Sequence, residues 1–240
     1  MPRTGEVAPP GARDGHGTSA DPFEDARVAA AYEDWYAAPF GRLAERIETR
    51  WLEEFLGELP ERARVLEIGC GTGHFAAALA SPARTVIGCD TAAAMLARAR
   101  GRVPVVRADA ARLPFADRAF DAAYLVAVLD FVGDPVAVLR EARRVAPRVA
   151  VIALARGSWL ALRRRLSGRR GHPIFSHARF HSRREVLGFA RAAGAEPREV
   201  RGALVFPPAL ARLAAPLEER LARGRPPLAG LVGFVLSESD

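Results

Sequence analysis

The chain has 240 residues, of which 50% are hydrophobic and 8% aromatic, a composition that suits a folded domain with a sizeable core. Its basic residues are all arginine, and 35 of them against 28 acidic residues give a formal net charge of +7. Lysine, asparagine and glutamine are absent, which excludes mechanisms that need a catalytic lysine or a side-chain amide.

The N-terminal part of the chain changes character near residue 20. Residues 1–20 are rich in Gly, Pro and small polar side chains with little to bury, so we expect a disordered tail. Residues 21–240 are expected to form a single domain that opens with two helices over 21–60. The first is predicted around "FEDARVAAAYEDWYAA", and the second over 42–56, where large apolar residues recur every four positions.

Short apolar runs alternate with helical segments from residue 64 onward, which predicts a parallel sheet with helices on both faces. The predicted strands are 64–68, 84–89, 103–108, 120–128 and 148–155. The predicted helices between them are 72–80, 91–100 and 134–145. An insertion over 156–181 follows the fifth strand, and "SRREVLGFARAAG" then predicts one more helix. "REVRGALVFPP" and "LAGLVGFVLSES" indicate two closing strands.

The first strand leads into a turn with Gly69, Gly71 and Gly73 at every second position. In a doubly wound sheet a ligand binds beyond the carboxyl ends of the strands, near the point where strand order reverses. Glycine allows positive φ and a close approach of the backbone to that ligand. The dinucleotide fingerprint G-x-G-x-x-G needs a third glycine where this chain has His74, so the pattern disfavours a nicotinamide dehydrogenase.

Three acidic residues at the strand ends indicate what the turn binds. Asp90 ends the second strand, where a carboxylate can accept hydrogen bonds from both hydroxyls of a ribose. Glu67, just before the glycines, is unfavourable beside a phosphate but suits a ligand ammonium or sulfonium; a cap of the turn is its alternative role. Asp109 follows the third strand and either accepts from an adenine amine or is a solvated turn residue. An adenosine is therefore implied, and a diphosphate is not.

The motifs "VLEIGCGTG", "GCD", "ADAARLPF" and "FDAAYLVAVLDFVGDP", followed by "LREARRV", resemble in order those of class I S-adenosylmethionine-dependent methyltransferases. The resemblance covers residues 60–155 closely. It is strongest to the methyltransferase type 11 branch, which contains the ubiquinone and menaquinone C-methyltransferases. It implies an α/β, doubly wound, Rossmann-like sheet of seven mostly parallel strands with the last strand antiparallel, preceded by a helical extension.

The resemblance also implies which residues bind S-adenosylmethionine. Met95 would pack near the adenine, or serve only in the helix core, and Val126 with Ala127 would line the methyl-transfer region. The aromatic segment "YEDWYAAPFG" lies where relatives place a flap over the cofactor; a permanently docked helix is the alternative. The cofactor-binding residues implied are Glu67, Gly69, Cys70, Gly71, Gly73, Asp90, Thr91, Met95, Asp109, Ala110 and Val126.

Methyl transfer depends mainly on alignment of the nucleophile, which is worth roughly 7–11 kcal/mol. A general base is needed where the nucleophile must lose a proton. Asp130, near the end of the fourth strand, and His177 or His181, in the insertion, are the candidate bases; a capping or solvent-facing role is the alternative for Asp130. The histidines have no cysteine or carboxylate nearby in sequence, so no metal site is expected.

We expect methyl transfer to a small-molecule acceptor, lipophilic or quinone-like. An RNA methyltransferase or a non-catalytic S-adenosylmethionine-binding protein are the alternatives. The insertion carries an arginine-rich run beside Trp159, which suits a solvated face, an anionic substrate or peripheral contact with an anionic membrane. Its few aromatic residues disfavour nucleic acid.

The remaining features bear on location. The two cysteines make neither a disulfide framework nor a metal-ligand spacing. No apolar run approaches the ~18 residues of a membrane span, and the N-terminus lacks the apolar stretch of a signal peptide. A cytoplasmic location is therefore expected.

Overall fold

A computed structural model describes residues 21–170 and 174–237 of the protein. The predicted disordered tail over 1–20 lies outside the described residues. The two N-terminal helices are α1 (Ala26–Ala37) and α2 (Pro39–Leu56), preceded by a 3₁₀ turn at Pro22–Glu24. The first helix begins later than predicted because Asp25 caps it, accepting a hydrogen bond from the Arg27 N–H at 2.8 Å.

Strands and helices alternate from residue 63, in the order that the sequence predicts. The strands are β1 (Ala63–Ile68), β2 (Arg84–Asp90), β3 (Val105–Arg107), β4 (Ala122–Val126), β5 (Arg148–Leu154), β6 (Arg198–Ala203) and β7 (Leu231–Ser237). The helices are α3 (His74–Leu79), α4 (Ala93–Ala99), α5 (Pro135–Val145), α6 (Trp159–Arg169), α7 (Arg183–Ala192) and α8 (Ala211–Leu221).

The seven strands form one sheet in the order β3-β2-β1-β4-β5-β7-β6. Strands β1 to β5 pair in parallel, whereas β7 is antiparallel to both β5 and β6. The predicted doubly wound, Rossmann-like sheet with its last strand antiparallel is confirmed. Because the chain runs outward from β1 to β3 and then returns to β4, strand order reverses between β1 and β4, where a ligand is expected.

Helices cover both faces of the sheet, because successive strand residues point to opposite sides. On one side, Val65 packs with the inward faces of α2 and α3, including the fully buried Trp51. On the other, Leu66 packs with α5 and α7. The α2 stripe predicted at four-residue spacing is buried throughout, and the Trp51 indole N–H donates to the Ala222 carbonyl at 2.9 Å.

Two helices were not predicted. The insertion after β5 contains α6, begun by Ser158, whose hydroxyl accepts from the Ala161 N–H at 3.0 Å. The other is α8, which occupies the connection between β6 and β7 even though it contains Pro216. Along the described ranges, no helix is long and apolar enough to cross a membrane.

Candidate active site

The glycine turn between β1 and α3 is built from backbone conformations that suit glycine. Gly69, Gly71 and Gly73 have φ of 71°, 52° and 74°. A Cβ on Gly69 would lie 2.5 Å from Val128 Cγ2, so a larger residue has no room there. Gly69 and Gly71 border the cleft described below, whereas Gly73 caps α3 and packs against Ala99 instead.

Cys70 lies inside this turn and faces away from the cleft. Its thiol is buried against Gly88, where an added Cβ would approach the Cys70 Sγ to 2.6 Å. Burial raises the pKa of the Cys70 thiol. Its N–H and that of Gly69 donate to the Cys89 carbonyl at 2.9 and 2.8 Å, which fixes the turn on β2. Cys70 is therefore placed to shape the turn rather than to react.

Asp90 is the carboxylate that the turn closes around. Its Oδ2 accepts from the Gly71 N–H at 2.8 Å, and its Oδ1 accepts from the Ala92 N–H at 2.9 Å. Burial raises the pKa of Asp90, and these backbone donors oppose that shift. A carboxylate offers about four acceptor sites, so each oxygen retains one for a ligand hydroxyl in the cleft. Thr91 follows it and is exposed at the cleft edge.

Glu67 lies at the carboxyl end of β1, next to the turn but not on the cleft lining. Its side chain is 2% exposed, and among the described residues its Oε2 has no hydrogen-bond partner. Burial raises the pKa of Glu67 to about 8. As hydrogen-bond donors, the Tyr124 hydroxyl and the Ala76 N–H oppose that shift. Because Glu67 is off the cleft lining, its contact with a ligand ammonium stays a prediction.

Residues of the second and third strand ends form the next part of the cleft. Met95 is buried on α4, where it packs with Val28 and Ala29 of α1. Asp109 is exposed, and its Oδ1 accepts from the Ala111 N–H at 2.9 Å. Met95, Asp109 and the buried Ala110 all border the cleft, which is the arrangement that the resemblance implies for an adenine site.

The cleft extends past the carboxyl ends of β1 and β4 and has a volume of about 1130 Å³. Val126 and Ala127 border it where the strand order reverses, and the Ala127 N–H is held by the Ile152 carbonyl at 2.8 Å. Beyond them the walls come from α1, α2 and α6. The main residues on those walls are Tyr32, Trp35, Tyr36, Phe40, Glu48, Leu160, Arg163 and Arg164.

The first helix is attached to the glycine turn by side chains. The Thr72 hydroxyl donates to Glu33, and Arg102 donates to both Glu33 oxygens at 3.1 and 2.9 Å. Tyr36 stacks on His74 with ring centroids 4.1 Å apart. The aromatic segment predicted as a flap thus covers the glycine turn, and its mobility stays a prediction.

The three candidate bases lie in different settings. Asp130 is fully buried and is not on the cleft lining. Its Oδ2 accepts a hydrogen bond from the Leu154 N–H at 3.1 Å, and burial raises the pKa of Asp130 to about 7. His181 is partly buried, burial lowers its pKa, and its ring packs edge-on against Phe189. Of the three, His177 borders the cleft. Their catalytic roles stay predictions.

Two cleft residues were missed from the sequence. Glu48 lies on the buried stripe of α2, four residues from Ala44 and four from Leu52. A carboxylate within an otherwise apolar stripe is the sequence feature that could have indicated a functional residue there. Arg164 lies in an arginine run whose inward member is not apparent until α6 is placed. Across the described ranges, no group of three His, Cys, Asp or Glu is arranged to hold a metal ion.

The sheet order, the glycine turn and the buried carboxylates together indicate the class of protein to which the chain belongs. The seven-stranded order with an antiparallel last strand, and the crowded glycine turn bonded to Asp90, are those of a Rossmann-like S-adenosylmethionine-dependent methyltransferase. A family model described as a methyltransferase domain matches residues 66–153. The chain therefore belongs to the class I S-adenosylmethionine-dependent methyltransferases.

The chain is also similar to several proteins and to a solved structure. An uncharacterised protein of Mycobacterium tuberculosis is 36% identical over 189 residues, which cover 78% of this chain and 65% of that protein. Another, from Methanocaldococcus jannaschii, is 30% identical over 173 residues, 70% of this chain and 78% of the relative. A demethylmenaquinone methyltransferase of Corynebacterium kroppenstedtii is 37% identical over 127 residues, 52% of this chain and 56% of the enzyme.

The solved structure is an S-adenosylmethionine-dependent methyltransferase of Thermotoga maritima. It is 28% identical and superposes with a TM-score of 0.72, covering 91% of this chain and 98% of that one. The likeness thus includes the N-terminal helices and the elements after β5, which lie outside the residues matched by the family model.

Proposed function

We propose that the protein transfers a methyl group from S-adenosylmethionine to a lipophilic small molecule. The observation that carries the proposal is the continuity of the cleft, which runs from Asp90 and the glycine turn past Val126 to an aromatic wall on α1 and α2. When bound, S-adenosylmethionine supplies an activated methyl, whose bond to sulfur breaks with its electrons remaining on sulfur as the acceptor's electron pair bonds the methyl carbon.

The protein's own residues bind and orient the two partners. In this proposal Asp90 and the glycine turn hold the ribose and methionine ends of the cofactor, while Glu67 lies behind the turn, off the cleft lining. The aromatic wall excludes water from the acceptor side, which strengthens the electrostatic interactions there. Such a wall suits a flat apolar ring, and the relative from Corynebacterium is named for a quinone-type acceptor.

The outward face of α6 supports a proposal about how a lipophilic acceptor reaches the cleft. Trp159 is 56% exposed, and Leu162 and Leu166 follow it on the same side of the helix. The exposed arginines around them are Arg163, Arg165, Arg169 and Arg170. An apolar stripe edged with arginine is the composition of a helix that lies on an anionic membrane. We propose that this face docks there to collect a lipophilic acceptor, and that the protein works in the cytoplasm.

Labelled-methyl transfer tests the activity. The purified protein is incubated with S-adenosylmethionine labelled in its methyl group, and with quinols, phenols, amines or RNA as separate pools. Incorporation into small molecules that partition into organic solvent supports the proposal. Incorporation into RNA alone supports the alternative of an RNA methyltransferase.

Co-sedimentation with vesicles tests the docking face. We expect binding to vesicles containing phosphatidylglycerol, weaker binding to pure phosphatidylcholine, and a clear loss for Trp159→Ala. Equal sedimentation of the wild type with both vesicle types would remove the membrane proposal and leave the methyl-transfer proposal intact.

A further inference from the structure

Glu48 is a buried carboxyl group on the acceptor side of the cleft that the fold itself does not use. Its side chain is 4% exposed and borders the cleft, and its Oε2 has no hydrogen-bond partner in the described part of the chain. Burial raises the pKa of Glu48 to about 7, with Arg164 opposing the shift and Glu45 adding to it. Native proteins leave few buried polar groups unpaired, so this one calls for a ligand.

Arg164 borders the same part of the cleft from α6. It forms no ion pair within 4 Å across residues 21–170 and 174–237, and its guanidinium lies over the Phe175 ring at 5.3 Å. Burial lowers the pKa of Arg164, while the nearby charges of Glu48 and Asp130 raise it. A guanidinium remains protonated even so. A partly buried cation, Arg164, and a buried titratable acid, Glu48, therefore border the same cleft, whose lining also includes Arg163, Arg179 and His177.

Aromatic side chains form one wall of this end. Tyr32 and Tyr36 lie with their hydroxyl oxygens 3.4 Å apart, and Trp35 packs edge-on against Tyr36. Burial raises the pKa of Tyr32 to about 12 and that of Tyr36 as well, so both stay neutral hydroxyls. Phe131 completes the lining after β4. A planar aromatic ring fits such a wall.

The two charges select among acceptor chemistries. A protonated amine would be attracted by Glu48 but repelled by Arg164. A permanently anionic acceptor would be attracted by Arg164 but repelled by an ionised Glu48. A neutral, weakly acidic hydroxyl suits both groups, because its proton can pass to the acid while its oxygen turns toward the guanidinium.

We propose that Glu48 is the general base for an aromatic hydroxyl acceptor, a phenol or quinol, and that Arg164 binds the resulting oxyanion. This inference rests on the proposed methyl transfer. The acceptor O–H bond breaks, its proton moves to the Glu48 carboxylate, and its electron pair stays on the oxygen or is delocalised into the ring. That pair then bonds the methyl carbon as the bond from this carbon to sulfur breaks. Attack through oxygen gives the methyl ether directly, whereas attack through a ring carbon is completed when the hydrogen of that carbon moves as a proton to the oxygen and restores the aromatic ring. Glu48 returns its proton to water when product leaves.

A binding measurement that does not need turnover tests the pair. The probe is 4-nitrophenol with S-adenosylhomocysteine present, and phenolate absorbance reports both binding and ionisation. In the wild type, affinity for the phenolate should fall as pH rises through about 7, because Glu48 then becomes ionised and repels it. Glu48→Gln should remove this dependence, and Arg164→Met should weaken binding at every pH.

Turnover supplies the second measurement. Glu48→Gln should lower kcat on weakly acidic phenols by about 10²-fold or more, as expected for loss of a general base. The loss should shrink for phenols that are already ionised in solution. Glu53→Gln is the matched control, since Glu53 lies on the exposed side of the same helix and pairs with Arg84. S-adenosylhomocysteine affinity should be unchanged in both variants.

Several outcomes overturn the inference. One is an identical pH dependence of phenolate binding in the wild type and Glu48→Gln. Another is full turnover in Glu48→Gln with loss in His177→Ala. Methylation of amines but not hydroxyls would also end it, while leaving the proposed function standing. If instead the probe binds as described but no pool accepts a methyl, the proposed function fails, and with it the base role of Glu48, while the binding of a phenolate beside Arg164 stands.

Discussion

Replacing Asp90 with alanine tests the assignment of the ribose site. Its two oxygens accept from Gly71 and Ala92 and keep one site each for the ribose hydroxyls. Hydrogen bonds to a charged group are each worth about 1.5–3 kcal/mol, so two amount to about 3–6 kcal/mol. At about 1.4 kcal/mol per tenfold, the Kd for S-adenosylhomocysteine should rise at least about 10²-fold.

Calorimetry with two ligands separates ribose contacts from damage to the turn. The second ligand is an analogue of S-adenosylhomocysteine without the two ribose hydroxyls. It should bind the wild type far more weakly than S-adenosylhomocysteine, whereas Asp90→Ala should bind the two ligands almost equally. Asp117→Ala is the matched control, because Asp117 is an exposed aspartate paired with Arg144. If Asp90→Ala still distinguishes the ligands as the wild type does, the ribose assignment is wrong.

Three further predictions concern the flap, the buried aspartate and the buried glutamate. Hydrogen exchange over residues 24–41 should slow when S-adenosylhomocysteine binds, as for a closing flap; equal protection with and without ligand would contradict this. Asp130→Ala should lower the free energy of unfolding in urea by about 1–3 kcal/mol, because the buried Leu154 N–H loses its acceptor; an unchanged midpoint would contradict it. Because the pKa of Glu48 is raised in the folded state, the free energy of unfolding of the wild type should fall as pH rises from about 4.5 to about 7. Above pH 7, Glu48→Gln should therefore be more stable than the wild type by about 3 kcal/mol at most, and below pH 4.5 the two should be similarly stable. Parallel stability curves for the two proteins across that range would refute the last prediction.

Much of the sheet and its ligand end were predictable because short-range rules govern them. An apolar run of strand length followed directly by glycines predicted β1 and its turn. The positive φ of Gly69, Gly71 and Gly73 follows from the conformational freedom of glycine itself. Asp90 was predictable because the end of a strand in a parallel sheet fixes where its side chain lies. The antiparallel β7 came from the resemblance rather than from periodicity.

The acceptor end was less predictable because packing between distant segments builds it. The sequence places Asp130 near the end of β4 but does not show that its carboxylate turns toward the Leu154 N–H of β5. Glu48 looks like one of many helix glutamates until α2 is seen to bury that face. Arg164 is distinguished from Arg163 and Arg165 only by the rotation of α6. For α8, Pro216 obscured the helical pattern.

The most direct test of the central claim is mass spectrometry of small molecules after incubation with S-adenosylmethionine that carries a trideuterated methyl group. We predict a lipophilic product that carries the intact CD₃ group on oxygen or on a ring carbon, in amounts equal to the S-adenosylhomocysteine formed, and far less of it with Asp90→Ala at limiting cofactor. S-adenosylhomocysteine binding without any deuterated small molecule, across quinol, phenol and amine pools, would contradict it.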